Sequence, residues 1–282
     1  MIRILTDSMS DLTQEDASRL GITVLPMPVS FGEEERWEGI DLSREEFFAR
    51  LRVAEELPHT SQIAPRAWQK AFDRELRDNE DELLCITGSS GLTGGYQSAL
   101  LARESCVAPE RMAVVDSLNA TVGQALLVEM AVRRRDAGAT LQELVNLVEK
   151  LKARQRVFGQ ADDLKYLVMG GRLSPVVGKV GNALNIKPML KIEGGTIDQA
   201  GLVRGAAKGR AWYAEQLKKY PPDRSIPLLL AGADCPAETQ KAKEYLEQTG
   251  LPLPPIETMG VGTVIGTHVG PGLIVMSWIE QA

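Results

Sequence analysis

Along the first half of the chain, short apolar runs alternate with stretches of helical spacing. Residues 2–5 precede 12–20, 22–31 precede 44–51, 83–87 precede 96–103, and 112–115 precede 122–135. A parallel sheet covered by helices produces this alternation, because its strands are buried on both faces and each crossover must return over the sheet. Helix starts are marked by Thr13 with Asp16 and by Ser43 with Glu46, both at capping-box spacing, and Gly21 supplies a stop. These signs predict a doubly wound, mostly parallel α/β domain.

The alternation pauses at residues 122–136 and 141–154, two helical segments in succession broken at Ala137-Gly138-Ala139. From Val157 the texture changes to Gly-rich punctuation. Glu193-Gly194-Gly195-Thr196 signals a hairpin. A helix over residues 205–219, a strand over 226–231 and a final strand after Pro271 follow. The pattern predicts a second, mixed α/β domain, with the chain divided into residues 1–155 and 156–282. A length of 282 residues suits two such domains, each with its own core.

Composition narrows the function classes. The chain is 44% hydrophobic and 25% charged, and no stretch approaches the roughly 18 uninterrupted apolar residues of a membrane span. Residues 1–8 read as a buried strand and lack the pattern of an export signal, so a cytoplasmic location is expected. A net charge of −6 with no basic block repels a phosphate backbone, which argues against nucleic acid. Cys85, Cys106 and Cys235 form no C-x-x-C pair and read as small buried hydrophobes.

Clusters of small polar residues follow the strands: Thr6-Asp7-Ser8, then Thr87 through Gly95, then Asp116-Ser117. In an open parallel sheet the ligand crevice lies at these strand ends. The stretch from Gly88 to Gly95 ends a strand and starts a helix, so its hydroxyls and N–H groups suit a carboxylate or phosphate; a capped tight turn is the alternative. Nucleotide signatures fail. Gly178-Lys179-Val180 has Leu173 where a P-loop needs glycine, and the segment from Gly260 to Ile265 lacks the third glycine of a dinucleotide fingerprint.

The chain has two histidines. His59 reads as structural, whereas His268, within Gly266-Thr267-His268-Val269-Gly270-Pro271-Gly272, lies where glycines let the backbone approach something closely. Arg172, on the turn Gly170-Gly171-Arg172-Leu173-Ser174 before a helix expected from Pro175, is either a carboxylate partner or a solvated helix-end cation. A regulatory ligand sensor is one rival reading, and a hydrolase or acyl transferase built on Ser or Thr, His268 and Asp7 or Asp116 is the other. The latter lacks a G-x-S-x-G elbow.

Six segments in order carry a family resemblance: Thr6-Asp7-Ser8, Pro58-His59-Thr60-Ser61-Gln62, Ser89 through Ser98, Gly171-Arg172-Leu173-Ser174, Asn185 through Leu190, and His268-Val269-Gly270-Pro271-Gly272. Over its full length the chain resembles the DegV proteins. The resemblance implies two α/β domains with a long-chain fatty acid held between them, its carboxylate near Thr60, Ser61, Thr93, Gly94, Arg172 and His268. It also implies a non-catalytic carrier with no cofactor, serving a separate ATP-using fatty-acid kinase subunit, with membrane contact during loading left open. A protonated His268 is expected to help neutralise the head group. Thr93 stands where the family more often has serine, and Gly95 where threonine is frequent; chain-length preference is therefore open.

Overall fold

The computed structural model describes residues 1–78, 80–173 and 185–282. In chain order these form β1 (Ile2–Asp7), α1 (Gln14–Leu20), β2 (Thr23–Leu25), β3 (Pro28–Phe31), β4 (Glu34–Trp37), α2 (Arg44–Val53), β5 (His59–Thr60), α3 (Pro65–Glu75), β6 (Glu82–Thr87), α4 (Gly95–Glu104), β7 (Met112–Asp116), α5 (Thr121–Asp136) and α6 (Leu141–Arg154). There follow β8 (Gln155–Gln160), α7 (Lys165–Met169), β9 (Ile186–Glu193), β10 (Thr196–Arg204), α8 (Ala206–Lys219), β11 (Leu228–Gly232), α9 (Pro236–Gln248), β12 (Ile256–Gly260), α10 (Thr263–Val269) and β13 (Ile274–Ile279). The helix expected from Pro175 lies outside the described residues.

The chain folds as two α/β domains. The first has an all-parallel sheet in the order β2-β1-β6-β7, with a small antiparallel sheet β4-β3-β5 beside it. The second is built on a mixed six-stranded sheet, β10-β9-β8-β13-β11-β12, in which only the β11–β12 pair is parallel. Gln155, at the expected division of the chain, is the first residue of this sheet.

Local signals account for most boundaries. Thr13 and Asp16 form a reciprocal capping box, and Gly21 ends α1 with a left-handed backbone (φ 59°). Gly194 and Gly195 both adopt positive φ, as a two-residue hairpin turn requires. The run over residues 22–31 is not one strand but two, β2 and β3, in different sheets. Prolines at 26 and 28 withhold N–H donors there, so the ladder breaks and the chain changes sheet.

α5 lies between the two sheets, touching β1 and β6 on one side and β8, β11 and β13 on the other. Eleven of its sixteen residues are buried, which leaves it no polar face and little amphipathicity. The main core is consequently continuous from the parallel sheet through α5 to Val157, Leu190 and Val275 of the six-stranded sheet. A second cluster, with Tyr213, Met276 and Trp278, lies under α8 and α9. The second domain thus has a cluster of its own and also shares the core that runs between the two sheets.

Leu126 of α5 is fully buried. Leu126→Ala is expected to lower unfolding free energy by about 2–5 kcal/mol in urea denaturation, because both sheets hold the cavity open. A loss under about 1 kcal/mol would contradict the sandwiched placement of α5.

Candidate functional site

A cavity of about 200 Å³ lies between α5, α10 and the near face of the six-stranded sheet. Its lining is graded. The buried wall is nearly all apolar, with Met9, Met27, Val157, Leu190, Val264 and Val275 among its members. At the other end stand Thr60, Gln62, Thr93, Gly94, Arg172 and His268; Gln62 and Gly94 are exposed, and Thr60, Thr93 and Arg172 half-buried. One end is thus polar and accessible, the rest dry.

Thr60 reaches the cavity through β5, which pairs with β3 at Val29 and Ser30. Strand alternation turns Thr60 inward and leaves His59 exposed. Ser61, expected at the head group, is exposed and does not line the cavity; Gln62 is present in its place. The Gln62 amide lies directly over Gly94, where a Cβ would come within 1.8 Å of Oε1 and oblige the exposed Gln62 side chain to swing aside.

Thr93 and Gly94 belong to the loop between β6 and α4. Much of this loop already satisfies itself: Ser89 N–H donates to Asn119 O (2.8 Å), Gly91 N–H to Ser89 Oγ (3.1 Å), and Leu92 and Thr93 N–H to Ser89 O (3.1 Å each). Ser90 N–H donates to the Asp116 carboxylate, and Gly88 N–H to Asp7 Oδ2 (2.8 Å). The broad anion cradle expected over Gly88 to Gly95 therefore narrows to its last residues. Thr93 Oγ1 accepts from Gly95 N–H (3.4 Å), which leaves its own proton to donate.

His268 and Thr60 meet directly, with Nε2 and Oγ1 2.8 Å apart. Arg172 extends from the turn after α7, donating to Gly170 O (2.5 Å) and Leu92 O (3.3 Å). Burial depresses the Arg172 guanidinium, and burial, with Arg172 and His59 nearby, lowers the His268 imidazole to about 4. In the ligand-free protein a buried imidazole facing a guanidinium stays neutral at ordinary pH; the expected protonated His268 belongs to the state with a carboxylate beside it. The glycines around it serve protein packing. A Cβ at Gly266 would strike Phe47 and Phe48 at 2.8 Å, and one at Gly270 the Tyr166 ring at 2.2 Å.

A hydrolytic triad is not assembled. Asp7 is buried and accepts from Met9 N–H, Gln124 Nε2 and Gly88 N–H, while Asp116 accepts from Ser90 and Leu118 N–H. His268 Nδ1 has no carboxylate partner among the described residues. Desolvation pushes the Asp7 carboxyl up, consistent with a role in holding loops and not in orienting a base. No group of three or more metal-ligating side chains occurs among the described residues.

A family model described as "Uncharacterised protein, DegV family" matches residues 1–281. The chain belongs to the DegV family. A DegV domain-containing protein from Deinococcus radiodurans is 31% identical over 97% of this chain and 96% of its own. A DegV family protein from Thermus thermophilus, whose structure is described as showing fatty acid binding, is 28% identical, covers 99% of each chain and superposes with a TM-score of 0.89. The Streptococcus pneumoniae fatty acid kinase B3 protein loaded with linoleic acid shares the fold, at a TM-score of 0.86 and 20% identity over the whole of both chains. No helix among the described residues of this DegV chain is long and apolar enough to cross a membrane.

With only two histidines, the imidazole resonances of the DegV chain are separable by NMR. His268 is expected to remain neutral at pH 6 and to titrate near 4 in the ligand-free protein. A midpoint near the ordinary value of about 6.5 would contradict the desolvated site described here.

Proposed function

We propose that this chain binds one long-chain fatty acid, with the tail in the apolar cavity and the carboxylate at the Thr60–Thr93 end. The observation that carries this reading is the grading of the cavity. A 16-carbon tail buries roughly fifteen carbons at about 0.8 kcal/mol each, a gross gain of order 12 kcal/mol, whereas an unpaired buried carboxylate costs several kcal/mol. A guest that is apolar along its length and anionic at one tip matches a dry wall with one polar end.

Thr60 and Thr93 hydroxyls and the Gly94 N–H are the donors, and Arg172 supplies positive charge. The Thr60–His268 contact fixes a tautomer in this reading. If His268 carries its proton on Nε2, that proton is donated to Thr60 Oγ1, and the threonine hydroxyl proton is free for the ligand. With the proton on Nδ1 instead, Thr60 would donate to the ring and lose its hold on the carboxylate.

At about 200 Å³ the cavity is smaller than the roughly 300–1,000 Å³ of typical ligand pockets, so a long chain requires wall side chains to turn aside. Met9 and Met27 are unbranched and adaptable, and they provide that movement.

The carboxylate end is the accessible end, which suits presentation to a separate fatty-acid kinase subunit. In that step a carboxylate oxygen attacks the γ-phosphorus of ATP held by the partner, ADP leaves, and an acyl phosphate forms. The family resemblance and the lack of a nucleotide signature in the sequence support this division of labour, with the chain as carrier.

Thr60→Ala and Thr93→Ala are each expected to weaken binding of a fluorescent fatty acid about 10- to 100-fold, the value of a hydrogen bond to a charged group, while circular dichroism stays native. Unchanged affinity in both variants would remove the carboxylate from this end. Addition of a cognate kinase and ATP is expected to convert the loaded chain's ligand to acyl phosphate; intact fatty acid after such incubation would refute presentation.

A further inference from the structure

α10 carries His268 and much of the cavity wall, yet it has seven residues and no side-chain cap of its own. Isolated helices shorter than about 12–15 residues are marginal, so something outside α10 must hold its first turn. That something comes from the first domain. Glu38 Oε2 accepts the Thr263 N–H (2.6 Å) and Asp11 Oδ1 accepts the Gly262 N–H (2.9 Å). Arg44 locks both acceptors in place, donating to Glu38 Oε1 (2.5 Å), to Asp11 O (2.6 Å) and to Gly260 O (2.7 Å).

We propose that Glu38 and Asp11 are positioning residues for the polar end of the cavity: they cap α10 from the other domain, and the cap sets where His268 meets Thr60. The inference rests on reading that end as the carboxylate site. Two features distinguish the cap from ordinary surface pairing. It is buried, with Asp11 1% exposed, and it admits no side chain at the capped residue, since a Cβ on Gly262 would lie 2.6 Å from Glu38 Oε2 and 3.0 Å from Asp11 Oδ1. Carboxylates are also the right groups for it, because the N-terminus of a helix bears partial positive charge and unsatisfied N–H groups. His268 lies five residues beyond Thr263, about 7.5 Å along the axis, so displacement of the first turn moves the imidazole relative to a threonine held by a different sheet.

The test compares the parent with Glu38→Ala, Glu38→Gln and Gly262→Ala, reading the His268 titration by NMR in ligand-free protein and, separately, fatty-acid affinity. His59→Asn in each background assigns the resonance. The groups facing His268 are Arg172 and His59, which none of the three cap substitutions changes. In Glu38→Ala and Gly262→Ala the His268 midpoint is expected to rise from about 4 toward about 6.5 as the ring becomes hydrated, and affinity to fall about tenfold. Glu38→Gln retains an oxygen for the Thr263 N–H but turns its amide N–H toward Arg44, and is expected to fall between the parent and Glu38→Ala. An unchanged midpoint in folded Glu38→Ala and Gly262→Ala overturns the proposal, even if both melt at lower temperature. A shifted midpoint with unchanged affinity leaves the positioning role standing and sinks the carboxylate reading instead. Should Glu38→Ala fail to fold, Gly262→Ala carries the same comparison with every charge retained.

Discussion

A single hydrogen bond between side chains 208 residues apart, Thr60 Oγ1 to His268 Nε2, ties the small sheet of the first domain to a helix that leads into the last strand. Each partner depends on a separate support. Thr60 is held by its ladder to β3, and His268 by a helix packed against Phe47 and Phe48 of α2. The polar end of the cavity exists only where these supports agree. It is also where the physical demands are sharpest, because burial beside a guanidinium keeps the imidazole neutral in the ligand-free protein, and a neutral ring can fix the proton of a neighbouring hydroxyl.

The rest of the cavity asks less of the sequence. Its wall is made by the same apolar side chains that close the main core, and α5, buried between two sheets, belongs to core and cavity wall alike through Thr121 at its start. Hydrophobic burial has no direction, so the wall can yield to a flexible chain without losing the fold. Orientation comes from the few groups that do have direction: two hydroxyls, an amide N–H and a guanidinium. In the fatty-acid reading proposed above, this division between dispersed apolar contact and localised polar contact is what combines tight holding with defined presentation.

The parallel sheet, the pause at α5 and α6 and the glycine hairpin were legible because each depends on local periodicity or on φ > 0 at glycine. α3 and α9 were not read, although Pro65 and Pro236 sit at their first turns and Trp68 with Phe72, or Thr239 with Ala242, mark buried faces. β12 is an edge strand whose Glu257 and Thr258 are exposed, so it carries little apolar signal. At the site, Thr60, Thr93, Gly94, Arg172 and His268 line one end of the same cavity, while Ser61 is exposed and Gln62 covers Gly94. Strand alternation would have separated Thr60 from Ser61. The low affinity of His268 for protons arises from burial and from Arg172, and the trans-domain cap on α10 joins residues more than 200 positions apart; neither leaves a local mark in sequence.

The central claim is that a fatty acid occupies the cavity with its carboxylate at the Thr60–Thr93 end. Native mass spectrometry of protein purified from a bacterial host, comparing intact mass before and after denaturation, tests it most directly. A mass excess equal to one long-chain fatty acid is expected in the parent, and its loss in the Thr60→Ala/Thr93→Ala double variant. A bare parent mass under gentle ionisation, even after incubation with fatty acid, or a lipid retained undiminished by the double variant, would contradict it.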